Sequence, residues 1–170
     1  MGRIALVAGT FDPVTIGHMD IISRASRLFD KVHVVIFVNP DKTPMFSLEQ
    51  RLAMLRVACC GLDVVVDSDD GILVNYMKRN GIAATVRGVR NAEDMTYELE
   101  MAKHNKSANP LCETVILPCD PTFDEISSGA ARLALQKGQD AAKYLPPSVF
   151  PLFNEMWRHN QGRVLPNADN

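Results

Sequence analysis

The feature that most constrains this chain is its rhythm. Five short, β-branched apolar runs are separated by stretches with helical periodicity. The runs are Ile4–Ala8, Val32–Val38, Val64–Asp67, Ala84–Arg87 and Thr114–Leu117. Most are continuous rather than alternating, as expected of strands buried on both faces in a parallel sheet. Between them, Ile21, Ile22, Ala25, Leu28 and Phe29 share one helical face, as do Leu48, Leu52, Leu55 and Cys59. Ser47 and Gln50 form a capping box for that second helix. Ile72, Leu73, Tyr76 and Met77 mark a third, Asn91–Lys106 a fourth and Ser127–Lys137 a fifth. Pro147 is placed in the first turn of a last helix carrying Val149, Leu152, Phe153 and Met156. Strand–helix alternation of this kind predicts a single-domain α/β fold. Its form is a doubly wound (Rossmann-like), five-stranded parallel sheet with helices on both faces. The domain is expected over residues 1–161, with a polar tail over 162–170.

Size and charge narrow the function. With 170 residues, 46% of them hydrophobic, the chain suits one domain with a real core. A net charge of −2 leaves no basic excess to hold a nucleic-acid backbone. Cys59, Cys60, Cys112 and Cys119 form no C-x-x-C pair, which speaks for reduced thiols rather than a zinc site or a disulfide framework. No apolar run reaches membrane-spanning length, so a cytoplasmic protein is expected.

Doubly wound sheets bind ligands beyond the carboxyl ends of their strands, and the chemistry-bearing residues cluster there. Gly9-Thr10-Phe11-Asp12-Pro13 follows the first strand, and Asn39-Pro40-Asp41-Lys42 follows the second. Arg87-Gly88-Val89-Arg90 lies at the fourth, and Phe123 to Gly129 follows the fifth. A lysine, two arginines, a histidine and several hydroxyls at one sheet edge make a polyphosphate site by composition. Within G-T-F-D-P-V-T-I-G-H, Gly9 permits a sharp turn and Thr15 is a natural N-cap. Gly17 and His18 then fall in the first helical turn, where free N–H groups and the helix dipole favour an anion. An anion at that point would favour protonated His18. The acidic residues Asp67, Asp69 and Asp70 read as a solvated loop in preference to a metal site. Neither G-x-G-x-x-G nor G-x-x-x-x-G-K-[ST] occurs, which disfavours a nicotinamide enzyme or a P-loop ATPase.

The Gly9–His18 segment resembles the T/H-x-G-H signature of the nucleotidyltransferase superfamily, in the form found in phosphopantetheine adenylyltransferases. K-T-P-M-F (Lys42–Phe46), R-G-V-R (Arg87–Arg90), Tyr97-Glu98 and I-S-S-G (Ile126–Gly129) follow in that family's order and spacing. The resemblance implies transfer of AMP from ATP to 4′-phosphopantetheine, giving 3′-dephospho-coenzyme A and pyrophosphate. Attack is in line, with no covalent intermediate. His18, Lys42 and Arg90 take the catalytic roles. ATP is met by Thr10, Phe11, His18, Gly88, Val89, Arg90, Glu98, Phe123, Asp124, Glu125, Ile126, Ser127, Ser128 and Gly129. The acceptor is met by Thr10, Lys42, Leu73, Arg87 and Asn105. Mg²⁺ is implied, held mainly by nucleotide phosphates and water, with no residue assigned as its ligand. So are a homohexamer and feedback binding of coenzyme A. Gly129 departs from the usual I-S-S-S and supplies no hydroxyl.

Rival readings carry their own expectations. A cytidylyltransferase or a nicotinamide-mononucleotide adenylyltransferase more often has His where this chain has Thr15. A non-catalytic nucleotide-binding module would bind ATP without releasing pyrophosphate. A nucleic-acid-binding module is disfavoured by net charge and by the lack of clustered aromatics. A class I aminoacyl-tRNA synthetase fragment would need a K-M-S-K-S partner motif, and none is present.

Overall fold

The computed structural model describes residues 3–38 and 43–162. The five apolar runs form one parallel sheet of β1 (Ile4–Gly9), β2 (Lys31–Phe37), β3 (Val64–Asp69), β4 (Ala84–Val89) and β5 (Glu113–Pro118), in the order β3-β2-β1-β4-β5. Six α-helices accompany it: α1 (Ile16–Leu28), α2 (Leu48–Ala58), α3 (Leu73–Arg79), α4 (Ala92–Ala108), α5 (Ser128–Gln136) and α6 (Phe150–Gly162). This is the expected fold. Strand order reverses between β1 and β4, so the crevice lies at the carboxyl ends of those two strands.

Alternation along the strands builds the two layers. Ala5, Val7, Val32, Val34, Ile36 and Val86 face one side, against Ile21, Ile22 and Ala25 of α1, Met54 and Leu55 of α2, Leu135 of α5 and Phe153 of α6. Leu6 and Val35 face the other, against Tyr76 and Met77 of α3. The larger cluster has the aromatic pair Phe46–Phe153 within it, ring centroids 5.4 Å apart. Burial of these side chains drives folding at roughly 1.5–3 kcal/mol each before entropy is subtracted.

The structure departs from the sequence pattern in several places. β4 extends through Val89, because Arg87, Gly88 and Val89 pair with Ile116, Leu117 and Pro118 of β5. Gly88 and Val89 are therefore strand residues rather than loop residues. β3 likewise runs to Asp69, so Asp67 and Asp69 of the acidic cluster are strand residues, and only exposed Asp70 lies in the bend beyond. Asp67 accepts a hydrogen bond from the Tyr76 hydroxyl at 2.9 Å, and Asp69 pairs with Arg79 of α3. Leu28 and Ile72 are exposed instead of buried, since each stands at a helix boundary where the apolar stripe has run past its partner. The last helix opens at Phe150, with Pro151 in its first turn, while Pro147 sits in the preceding turn. No described helix is long and apolar enough to cross a membrane.

Candidate active site

A cavity of about 350 Å³ opens at the crevice between β1 and β4. Its floor is strand end and its rim is helix N-terminus. Thr15 caps α1, and the capping box is reciprocal. The Thr15 hydroxyl accepts from the His18 backbone N–H at 3.3 Å, and the Thr15 backbone N–H donates to His18 Nδ1 at 3.0 Å. His18 thus occupies the place that Glu or Gln fills in an ordinary box. Burial, followed by the charges of Arg87 and Arg90, lowers its pKa to about 4. Loss of water, the two guanidinium groups and the positive end of the α1 dipole all disfavour a charge on the imidazole, which an anionic ligand would favour.

The turn before α1 is anchored from distant parts of the chain. Phe11 is buried with a φ of 47°, and its ring stands edge-on to His18, centroids 4.9 Å apart. A Cβ at Gly9 would meet that ring at 3.0 Å. Asp12 is buried and accepts from the backbone N–H groups of Met45 and Phe46 at 2.8 and 2.9 Å. Arg132 of α5 donates to the Asp12 carbonyl at 2.6 Å, and buried Arg51 of α2 donates to the Thr10 carbonyl at 3.0 Å. Sequence reasoning gave Asp12, Arg51 and Arg132 no role. An arginine set on the apolar side of α2 was the one available signal.

On β4, Arg87 is locked in place. Its Nε and Nη2 donate to the two carboxylate oxygens of Glu98 at 2.8 and 2.6 Å, and its Nη1 donates to the Ala8 carbonyl at 2.7 Å. Arg90 makes a similar pair with Asp94, which holds the Asp94 carboxyl below the usual carboxylate range. Opposite, Ser127 caps α5 by accepting from the Ala130 N–H, and the Ser128 hydroxyl donates to the Pro13 carbonyl at 2.7 Å. The Ser128 hydroxyl hydrogen is committed to backbone, so the donors left at this helix end are the Ser127 O–H and N–H groups of the first turn.

Of the residues anticipated for the nucleotide, Phe11, His18, Gly88, Arg90, Glu98, Phe123, Ile126, Ser127 and Ser128 line the cavity, and Arg87 joins them. Thr10, Val89, Asp124, Glu125 and Gly129 do not. The Val89 side chain is buried, while Asp124, Glu125 and Gly129 are exposed. A smaller cavity of about 80 Å³ adjoins, lined by Leu73, Asn105 and Thr85 among others, and shares Arg87, Tyr97 and Glu98 with the first. Leu73 and Asn105 are thereby brought to the same arginine. Lys42 lies outside the described residues. Among the described residues no group of three His, Cys, Asp or Glu could hold a metal ion.

The chain matches known proteins along most of its length. Residues 6–134 match the family model described as cytidylyltransferase-like. A phosphopantetheine adenylyltransferase of Streptococcus pneumoniae is 44% identical over 86% of this chain and 92% of its own. One from Caldanaerobacter subterraneus is 39% identical over 86% and 92%, and one from Nostoc punctiforme 38% over 96% and 90%. The fold is shared with the crystal structure of a putative nicotinate-nucleotide adenylyltransferase from Vibrio parahaemolyticus. That match has a TM-score of 0.67, 20% identity, and covers 97% of this chain and 98% of the other. The chain belongs to the cytidylyltransferase-like nucleotidyltransferases and, within them, to the phosphopantetheine adenylyltransferase family.

Proposed function

We propose that this protein transfers the adenylyl group of ATP to 4′-phosphopantetheine, releasing pyrophosphate and forming 3′-dephospho-coenzyme A. The observation that carries the reading is the convergence of His18, Arg87 and Arg90 on one cavity, between the N-termini of α1 and α5. Each group suits one part of the reaction. An oxygen of the acceptor phosphate attacks the α-phosphorus, and the bond from that phosphorus to the β-phosphate oxygen breaks. The acceptor phosphate is already an anion at neutral pH, so no side-chain base is needed. Positioning and charge stabilisation carry the catalysis.

His18 donates from Nε2 to a non-bridging α-phosphate oxygen. Arg90 holds the β- and γ-phosphates and neutralises the leaving pyrophosphate. Arg87 receives the acceptor phosphate, whose arm runs toward Leu73 and Asn105 in the adjoining cavity. Lys42 completes the acceptor site as a mobile point charge. Thr10, the Phe11 backbone, Gly88, Val89, Phe123, Asp124, Glu125, Ile126 and the α5 turn through Gly129 frame the nucleotide. The two carboxylates in the main cavity, Asp94 and Glu98, are both paired with arginines, which fits a Mg²⁺ held by phosphate oxygens and water. That ion, when bound, would neutralise charge on the triphosphate. Assembly of identical subunits and work in the cytoplasm belong to the same reading. The exposed Ile72, Tyr97 and Met101 are apolar surface that a second copy could cover.

The test is pyrophosphate release with ATP, Mg²⁺ and 4′-phosphopantetheine, wild type beside His18→Ala. The variant should fold and bind ATP while its turnover falls roughly 10²–10³-fold. Unchanged turnover removes His18 from the mechanism. Activity with CTP or with nicotinamide mononucleotide in place of these substrates would redirect the assignment.

A further inference from the structure

Helix α4 meets both arginines at the end of β4, and it does so twice in the same manner. Asp94 accepts from Nε of Arg90 at 2.8 Å, from its Nη2 at 3.1 Å and from its backbone N–H at 3.2 Å. One helical turn on, Glu98 accepts from Nε and Nη2 of Arg87. In each case the carboxylate fills the fork between Nε and one terminal nitrogen. A guanidinium has five N–H donors in a fixed plane. With two taken, Arg90 keeps both hydrogens on Nη1 and one on Nη2, which form the opposite, terminal fork. All four side chains border the main cavity.

A plain helix-start role does not account for this. The first turn of α4 already has Asn91 as its cap, accepting from the Asp94 N–H at 2.9 Å, and exposed Glu93 as an acid for the dipole. Neither function requires a carboxylate clasped side-on to Arg90.

We infer that Asp94 is a positioning residue. It grips Arg90 side-on so that the terminal fork is presented to the triphosphate. Because Asp94 and Glu98 stand four residues apart on one rigid helix, α4 also sets the spacing between the nucleotide arginine and the acceptor arginine. The inference rests on the assignment of Arg90 to the leaving pyrophosphate under Proposed function.

The experiment measures kcat and both KM values by pyrophosphate release for wild type, Asp94→Asn, Arg90→Ala and the double variant, with thermal midpoints alongside. Asp94→Asn should lower kcat roughly tenfold, the scale of a small misplacement of a charge-stabilising group. The KM for 4′-phosphopantetheine should hold. In the Arg90→Ala background the same change should cost nothing further, because Asp94 acts through Arg90. Asp94→Glu, which keeps the carboxylate within reach, should recover most of the rate. If Asp94→Asn does not fold, Asp94→Ser makes the same comparison. Wild-type kinetics in Asp94→Asn, or losses that multiply in the double variant, would overturn the inference while leaving the proposed reaction standing. An Arg90→Ala variant as fast as wild type would instead strike the functional reading itself.

Discussion

Gly88 of β4 and Ile21 of α1 approach so closely that a Cβ at position 88 would lie 2.7 Å from Cγ1 of Ile21. The Cys119 sulfur would stand at 3.1 Å on another side. The strand end that carries Arg87 is thus packed tightly against the helix that carries His18, through the Ile21 side chain. The packing that stabilises the sheet edge also sets the distance between two groups of the active site.

A contrast between two glycines follows. Gly88→Ala should push α1 from β4, costing about 1–3 kcal/mol of stability as overpacking does, and should lower turnover because His18 shifts with its helix. At Gly17 an added Cβ meets no protein atom nearer than 3.6 Å. Gly17→Ala should leave the unfolding midpoint close to wild type or above it, since alanine is the better helix former, yet raise the KM for ATP by crowding the helix end where a phosphate docks. Denaturant unfolding and steady-state kinetics on both variants check this. A Gly17→Ala protein with normal ATP affinity would place the phosphate elsewhere.

The contact between Thr15 and His18 makes a prediction about pH. A backbone N–H can only donate, so Nδ1 must accept, and the proton of a neutral imidazole sits on Nε2, facing away from the cap. With a folded pKa of about 4 against 6.5 for a solvated imidazole, the unfolded chain binds a proton between those two pH values and the folded chain does not. Stability contributed by neutral His18 is therefore complete above pH 6.5, declines as pH falls through the window, and levels off below about 4. Urea unfolding of wild type and His18→Gln at several pH values should show a difference that is flat above the window and shrinks within it. Nitrogen NMR of the free protein at pH 6 should report the Nε2–H tautomer. An imidazolium signal there would overturn the assignment.

Thr85 makes a third. It is 1% exposed, and its hydroxyl oxygen has no hydrogen-bond partner among the described residues. Leaving a buried hydroxyl unpaired costs on the order of 1–3 kcal/mol, whereas an isosteric apolar group at the same place does not carry that cost. Thr85→Val should stabilise the protein by about 1 kcal/mol, raising its thermal midpoint by about 2–4 °C. A lowered midpoint would mean that water from the adjoining cavity serves the hydroxyl in solution.

Local order was legible in the sequence, and so was the edge of the sheet where function would gather. The five apolar runs, the capping residues Thr15, Ser47 and Ser127, and the placing of Gly9, Arg87 and Ser128 at strand and helix ends all follow from preferences acting over a few residues. Those preferences hold wherever the chain goes. What the tertiary structure decided is which of these groups meet. The Asp12 carboxylate reaches the backbone of Met45 and Phe46. Arg87 turns to Glu98 and Arg90 to Asp94, and Asp67 and Asp69 bond to Tyr76 and Arg79 of α3. The protonation of His18 was hidden for the same reason: its pKa is set by burial and by two arginines more than sixty residues distant in sequence. Propensity is a property of neighbours along the chain. Desolvation and Coulomb energy depend on neighbours in space, and only folding supplies those.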